Sequence, residues 1–177
     1  MLHEQTAYDW LDEIRDRISL AARKSAAKPR DFAATLIGCV VEDNIASVIH
    51  VGDGACAIRR AQTTEWHVPS WPAQGEYAST TYFVTDDPQP RISLSSVDGE
   101  IEEIAVFTDG IERLALDFSA STAFRPFFES IFPALRRVGV GRHRRLSYYL
   151  RTFLDSSRMA ERTDDDKTLI MARRIQR

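Results

Sequence analysis

The period of the apolar residues changes twice along this chain, and that change limits the possible folds more than any other feature. Residues 32–41 and 45–51 are runs rich in β-branched residues, separated by Glu42-Asp43-Asn44, side chains that favour tight turns, so the pair predicts a β-hairpin. A short strand over 55–60 follows Gly52-Asp53-Gly54, and strand-like pieces recur at 65–68, 80–85, 91–94 and 101–108, with Asp98-Gly99 marking a turn. On both sides the period is helical. Upstream, Trp10, Leu11, Ile14, Ile18, Ala21 and Ala22 recur every three or four residues within 6–26, which predicts one amphipathic helix with these residues on its buried face. Pro29 in the stretch 24–30 ends it. Downstream, helices are expected over 111–116, 124–137 and 142–155, and the apolar run 167–172 reads as a closing strand buried on both faces. The fold class is therefore α+β, antiparallel sheets flanked by helices.

At 177 residues with 44% apolar content, the chain can bury one sizeable core, so a single domain over 1–177 is the default. A formal net charge of -3 gives no general attraction to nucleic acid or to an anionic membrane, and neither is expected as a partner. No run of about 18 apolar residues exists and the first residues carry acids, so a cytoplasmic protein is expected. Cys39 and Cys56 sit inside strand-like apolar runs and read as buried thiols.

Three carboxylates share one local setting. Asp53 follows the strand over 45–51, Asp109 follows the strand over 101–108, and Asp165 precedes the last strand. If those strand ends lie on one rim, the carboxylates converge, and such a group repels itself unless cations neutralise it. Oxygen-only ligands suit hard Mg²⁺ or Mn²⁺, which can make bound water a nucleophile near neutral pH. Gly54 and Gly110 allow sharp backbone turns beside the aspartates. Asp-Gly is also an ordinary turn pair and 164–166 also reads as a solvated acidic loop.

Order and context add information. His50-Val51-Gly52-Asp53-Gly54 is similar to the "VGDS" hairpin strand of the type 2C (PPM) protein phosphatases, Val106-Phe107-Thr108-Asp109-Gly110 to their "SDG" strand end, and residues 163–170 to their closing "DN-x-T/S-V" strand. The stretch from Gly75-Glu76-Tyr77 to Asp86 resembles one found in bacterial members. The chain thus resembles a bacterial type 2C phosphatase. That resemblance implies an αββα sandwich and a binuclear Mn²⁺ or Mg²⁺ centre that hydrolyses phosphoserine and phosphothreonine in a phosphoprotein substrate without a phosphoenzyme. It makes Asp109 and Asp165 core metal ligands and catalytic residues, and assigns Asp53, with Asp109, to a third, weaker metal site. Asp166 stands where many members have Asn.

The same resemblance places further ligands, including a bridging aspartate, on an "ADG" or "DG-x-G" element upstream of the first long helix, where this sequence begins. The sandwich is therefore expected to be N-terminally truncated, with exposed strand edges that favour self-association. A late start codon, a fragment and a shortened product are the candidate origins. The alternative function is a catalytically inactive pseudo-phosphatase that binds a phosphoprotein or another partner.

Other residues carry less. Arg136, Arg137, Arg142, His143, Arg144 and Arg145 could receive a phosphopeptide or a nucleic-acid backbone, but read as solvated helix ends with no aromatic residue interleaved for base stacking. The four histidines lack paired spacing, so zinc is not expected. His50 reads as filling a strand position beside Asp53, whose carboxylate it could tune. Trp66, Trp71, Phe124, Phe127 and Phe128 are expected in the core or an interface. No Gly-x-Ser-x-Gly elbow is present, and Gly139-Val140-Gly141 lacks the context of a dinucleotide fingerprint.

Overall fold

The structure, a computed structural model, describes residues 2–72 and 81–175. In chain order its elements are α1 (Glu4–Lys24), a 3-10 turn (Pro29–Phe32), β1 (Leu36–Val41), β2 (Ile45–Val51), β3 (Ala55–Arg60), β4 (Trp66–His67), β5 (Ser93–Asp98) and β6 (Ile101–Phe107). They continue as α2 (Asp109–Ala115), β7 (Leu116–Asp117), β8 (Thr122–Ala123), α3 (Arg125–Arg136), α4 (Arg144–Leu154), α5 (Ser157–Ala160) and β9 (Leu169–Arg173). The chain divides into two compact units, Met1–Gly54 with Pro69–Asp98, and Ala55–Val68 with Gly99–Arg177.

In the first unit, β1, β2 and β5 form an antiparallel sheet with β2 in the centre. The turn after β1 closes with Glu42 N–H donating to the Ile45 carbonyl at 2.9 Å, the hairpin expected from Glu42-Asp43-Asn44. Central placement buries all of β2 except Ile45. Its Val51 clusters with Leu11 of α1 and with Val84, and Ile14 and Ile18 pack against this cluster. Burial of these side chains, at ~1.5–3 kcal/mol each, is what holds α1 to its unit. Glu4 in the first turn and Arg23 and Lys24 in the last complement the helix dipole.

In the second unit the sheet order is β4-β3-β6-β9, all antiparallel. β6 alternates buried and half-buried residues, the two-residue period of a strand with one face in the core. Against that face α3 delivers Phe128 and Phe132, both fully buried. Trp66 stacks on Phe128 at a centroid distance of 4.4 Å and lies 4.7 Å from Phe132, so the aromatic side chains form the centre of this unit's core.

A charged side chain lies at the base of the same sheet. Glu103 of β6 is 0% exposed. Its Oε2 accepts from Arg59 Nε at 2.7 Å, and Arg136 donates from Nε to Oε1 at 2.6 Å and from its second nitrogen to Oε2 at 2.7 Å. Burial pushes the Glu103 carboxyl up, but the hydrogen bonds from Arg136 and Arg59, with their charges, outweigh it and hold it below the ordinary glutamate value. Arg136 is therefore not one of the solvated helix ends expected from its basic surroundings.

Several sequence expectations need correction. Residues 81–85 form no strand, and Thr80, like residues 75–79, lies outside the described residues. β5 begins at Ser93 rather than Arg91, and β1 at Leu36 because Pro29–Phe32 winds into a 3-10 turn. Trp10 is 42% exposed, since it sits about 100° around the helix from the buried Leu11. Phe124, at 45% exposed, is not core. Nor is β9, an edge strand, covered on both faces: its burial alternates, and Ile170 is 63% exposed. A run of apolar residues does not distinguish a doubly covered strand from an edge strand beside an apolar groove.

Candidate functional site

The second unit sets the segments that carry Asp109 and Asp165 side by side, and strand pairing explains why. β6 and β9 run antiparallel with Phe107 opposite Leu169, so the residues just after β6 must lie beside those just before β9. Thr108 continues the ladder: its N–H donates to the Thr168 carbonyl at 3.1 Å, and its Oγ1 accepts from Thr168 N–H at 3.0 Å and donates to the Asp166 carbonyl at 3.3 Å. One hydroxyl thus links the Asp109 segment to the Asp165-Asp166 segment.

Asp109 is the first residue of α2, half-buried, and its Oδ1 accepts from Gly110 N–H at 2.8 Å. Gly110 is buried so close to the opposite segment that a Cβ there would overlap the Asp166 carbonyl oxygen and lie 3.3 Å from Asp165 Cβ. Only a residue without a side chain permits this approach. Asp165 is exposed, its N–H donating to Thr163 Oγ1 at 3.3 Å and its carbonyl accepting from Lys167 Nζ at 3.2 Å.

Asp53 belongs to the first unit. It follows β2 and is half-buried, its Oδ2 accepting from Thr81 Oγ1 at 2.5 Å. Gly52 before it has a φ of +110°, and any side chain there would overlap Thr35. His50, at 3% exposed, shares a hydrogen bond of 2.8 Å between Nδ1 and Ser70 Oγ, and Ser70 in turn donates to Ser93 Oγ at 3.2 Å. Burial holds the His50 imidazole below its ordinary range, against the smaller opposite pulls of the Asp53 charge and a Gly52 backbone hydrogen bond.

The donor chemistry fits a hard divalent cation at the β6–β9 end. A Mg²⁺-like ion takes one or two protein carboxylates and keeps several waters, and Asp109 and Asp165 offer two on adjoining segments, one of them solvent-facing. Among the described residues no group of three or more His, Cys, Asp and Glu is placed to hold a metal ion. Thr81 and Thr108 were missed as supports in the sequence; the only available signal was a hydroxyl directly before Asp109, and none marked Thr81, 28 residues from Asp53.

Among the described residues no helix is long and apolar enough to cross a membrane. The profile of the Protein phosphatase 2C family matches residues 2–155, a stretch that holds Asp53 and Asp109 and stops short of Asp165. The chain is 34% identical over 172 residues to serine/threonine-protein phosphatase 3 of Escherichia coli (strain K12), covering 97% of this chain and 67% of that protein. The structure is similar to serine/threonine phosphatase Stp1 from Staphylococcus aureus, with a TM-score of 0.57 at 13% identity over 99% of this chain and 71% of that one. It is also similar to the catalytic domain of the serine threonine protein phosphatase PstP in complex with two manganese ions, with a TM-score of 0.53 at 12% identity over 89% of this chain and 64% of that one. On the breadth of the profile match and the identity to the Escherichia coli enzyme, this chain belongs to the protein phosphatase 2C family.

Proposed function

We infer that this chain is a metal-dependent phosphatase that hydrolyses phosphoserine and phosphothreonine in phosphoprotein substrates. One observation carries the reading: the β6–β9 register, closed by Thr108 and Gly110, sets the Asp109 segment against the Asp165 segment. Asp109 and Asp165 would hold Mn²⁺ or Mg²⁺ there. When bound, such an ion neutralises phosphoryl charge and lowers the pKa of water. The chain's own part is placement. Thr108 holds the two segments in register, Gly110 allows their close approach, and the exposure of Asp165 leaves room for a phosphorylated side chain to enter from solvent. Asp53, oriented by Thr81 in the first unit, is proposed as a ligand of a further ion.

The test is hydrolysis of a phosphothreonine peptide with and without Mn²⁺, together with a Mn²⁺ binding isotherm. Phosphate release that requires Mn²⁺ is expected, and Asp109→Asn should abolish it while weakening Mn²⁺ binding. Undiminished, metal-independent turnover in Asp109→Asn would overturn the assignment.

A further inference from the structure

The second unit carries an apolar groove of about 1050 Å³ walled by α3, α4 and β9. Phe127 and Ile131 of α3, Leu146, Leu150 and Phe153 of α4, and Ile170 of β9 line it. The α4 residues recur at i, i+4 and i+7, one stripe of a helix, yet all three are only half-buried, and Leu154 alone of α4 is fully covered. Tyr149, beside the stripe, is 50% exposed. A stripe of this kind ordinarily packs against another helix, and here its open side faces the groove.

Charge identifies the complement. Residues 131–154 contain six arginines and no acid, in a chain whose formal net charge is -3. Arg136 is committed to Glu103, Arg151 lies 3.5 Å from Asp155, and Arg145 donates to Tyr149 and lies over its ring. Arg142 and Arg162 stand in the groove wall, and among the described residues no carboxylate pairs with them. An apolar trough edged with unneutralised arginines suits an apolar stripe flanked by carboxylates.

We propose that the α3–α4–β9 groove docks an acidic amphipathic helix of a partner protein. Anchors at i, i+3 or i+4 and i+7 of that helix would enter between α3 and α4, interdigitating with Leu146, Leu150 and Phe153. Its Glu or Asp side chains would meet Arg142 and Arg162. The concavity favours a helix over a lipid surface, since interfacial binding needs an apolar face that projects into the bilayer. It also disfavours a nucleic-acid backbone, which would set phosphates against apolar walls. The proposal does not depend on phosphatase chemistry.

The probe is a fluorescein-labelled 16-residue peptide with Leu and Phe at helical spacing and Glu beside them, followed by anisotropy with the full chain. A second peptide has Lys in place of Glu. Saturable binding of the acidic peptide is expected, weakening with salt. The surface double variant Arg142→Glu with Arg162→Glu should bind it up to about thirtyfold more weakly, from two lost charge contacts of ~1 kcal/mol each at most, and should gain affinity for the Lys peptide. That exchange of preference requires a folded protein, so it separates docking from unfolding. Leu150→Asp should abolish binding of both peptides. Equal binding of the two peptides, or an unchanged preference in the double variant, would overturn the proposal. So would binding to phosphatidylserine vesicles or an oligonucleotide without binding to the acidic peptide, or a concentration-dependent dimer that Leu150→Asp dissolves.

Discussion

Replacing Glu103 with Gln tests how much the buried ion triad holds the second unit together. The carboxylate is fully buried and accepts on both oxygens, Oε1 from Arg136 and Oε2 from both Arg59 and Arg136. Glutamine keeps the shape but offers one oxygen and one NH₂, so whichever way the amide turns, one arginine donor faces another donor. Arg59, whose side chain is 11% exposed, then loses its buried counter-charge and keeps only Glu102 at 2.9 Å and the Thr63 carbonyl. Removing one partner of a buried pair costs ~3–5 kcal/mol. Arg136, at 37% side-chain exposure, can turn partly to water, which places the loss near ~3 kcal/mol. For a chain of this size that is about 6–12 °C in Tm.

The assay is urea unfolding at pH 7 and again in acid. Because the folded carboxyl lies below the ordinary value of 4.5, its stabilisation is fully present above pH 4.5. It is lost as pH falls through the lower folded value, where the wild type must itself protonate Glu103. The difference between wild type and Glu103→Gln should therefore be constant above pH 5 and shrink in acid. A loss under ~1 kcal/mol at neutral pH, the range of an exposed pair, or a difference independent of pH, would refute the reasoning.

Two further outcomes are expected. Thr108→Val removes both hydrogen bonds of the hydroxyl at constant volume, which should cost ~1–3 kcal/mol of stability and weaken Mn²⁺ in a binding isotherm, with Thr108→Ser restoring both; equal Mn²⁺ affinity in the Val variant would show that the hydroxyl does not hold the two segments. His50 should titrate below 6.5 in an NMR pH series, since burial favours its neutral form. Stability contributed by neutral His50 is thus complete above pH 6.5 and falls as pH drops toward the lower folded value, and a measured value at or above 6.5 would contradict the burial.

The parts of the fold legible in the sequence were those where one local rule acts alone. Glu42-Asp43-Asn44 between two runs rich in β-branched residues specifies a hairpin whatever surrounds it, and the three- and four-residue spacing of Leu11, Ile14 and Ile18 specifies a buried helical stripe. Other errors came from neighbours that sequence does not name. Ile170 reads as core because it is apolar in an apolar run, but burial in β9 alternates, so one face of the strand lacks the cover that the run alone suggests. Asp109 and Asp165 could be singled out as strand-end carboxylates, whereas the supports Thr108 and Thr81 depend on pairs 58 and 28 residues apart. Glu103 had no signal at all. In an alternating strand it reads as an outward charge, and only the arrival of Arg59 and Arg136 makes its burial tolerable.

β6 joins these features physically. It carries Glu103 near its start and leads into Asp109 at its end, and it pairs along its length with β3 and β9. Through Arg136, Glu103 fixes the last turn of α3, and Arg173 of β9 donates to the Arg136 carbonyl at 3.0 Å. The Asp109 and Asp165 segments, by contrast, are set by the Phe107–Leu169 end of the β6–β9 ladder, by Thr108 and by Gly110, at the opposite end of the ladder from the Glu103–Arg173 pair. Loosening Glu103 should therefore release α3, and with it one wall of the groove, before it disturbs the Asp109–Asp165 end. In Glu103→Gln at temperatures below its unfolding, docking of the acidic peptide weakens while Mn²⁺ affinity holds. Parallel loss of both would mean that the two sites unfold as one cooperative element, and that the ladder alone does not set the carboxylates.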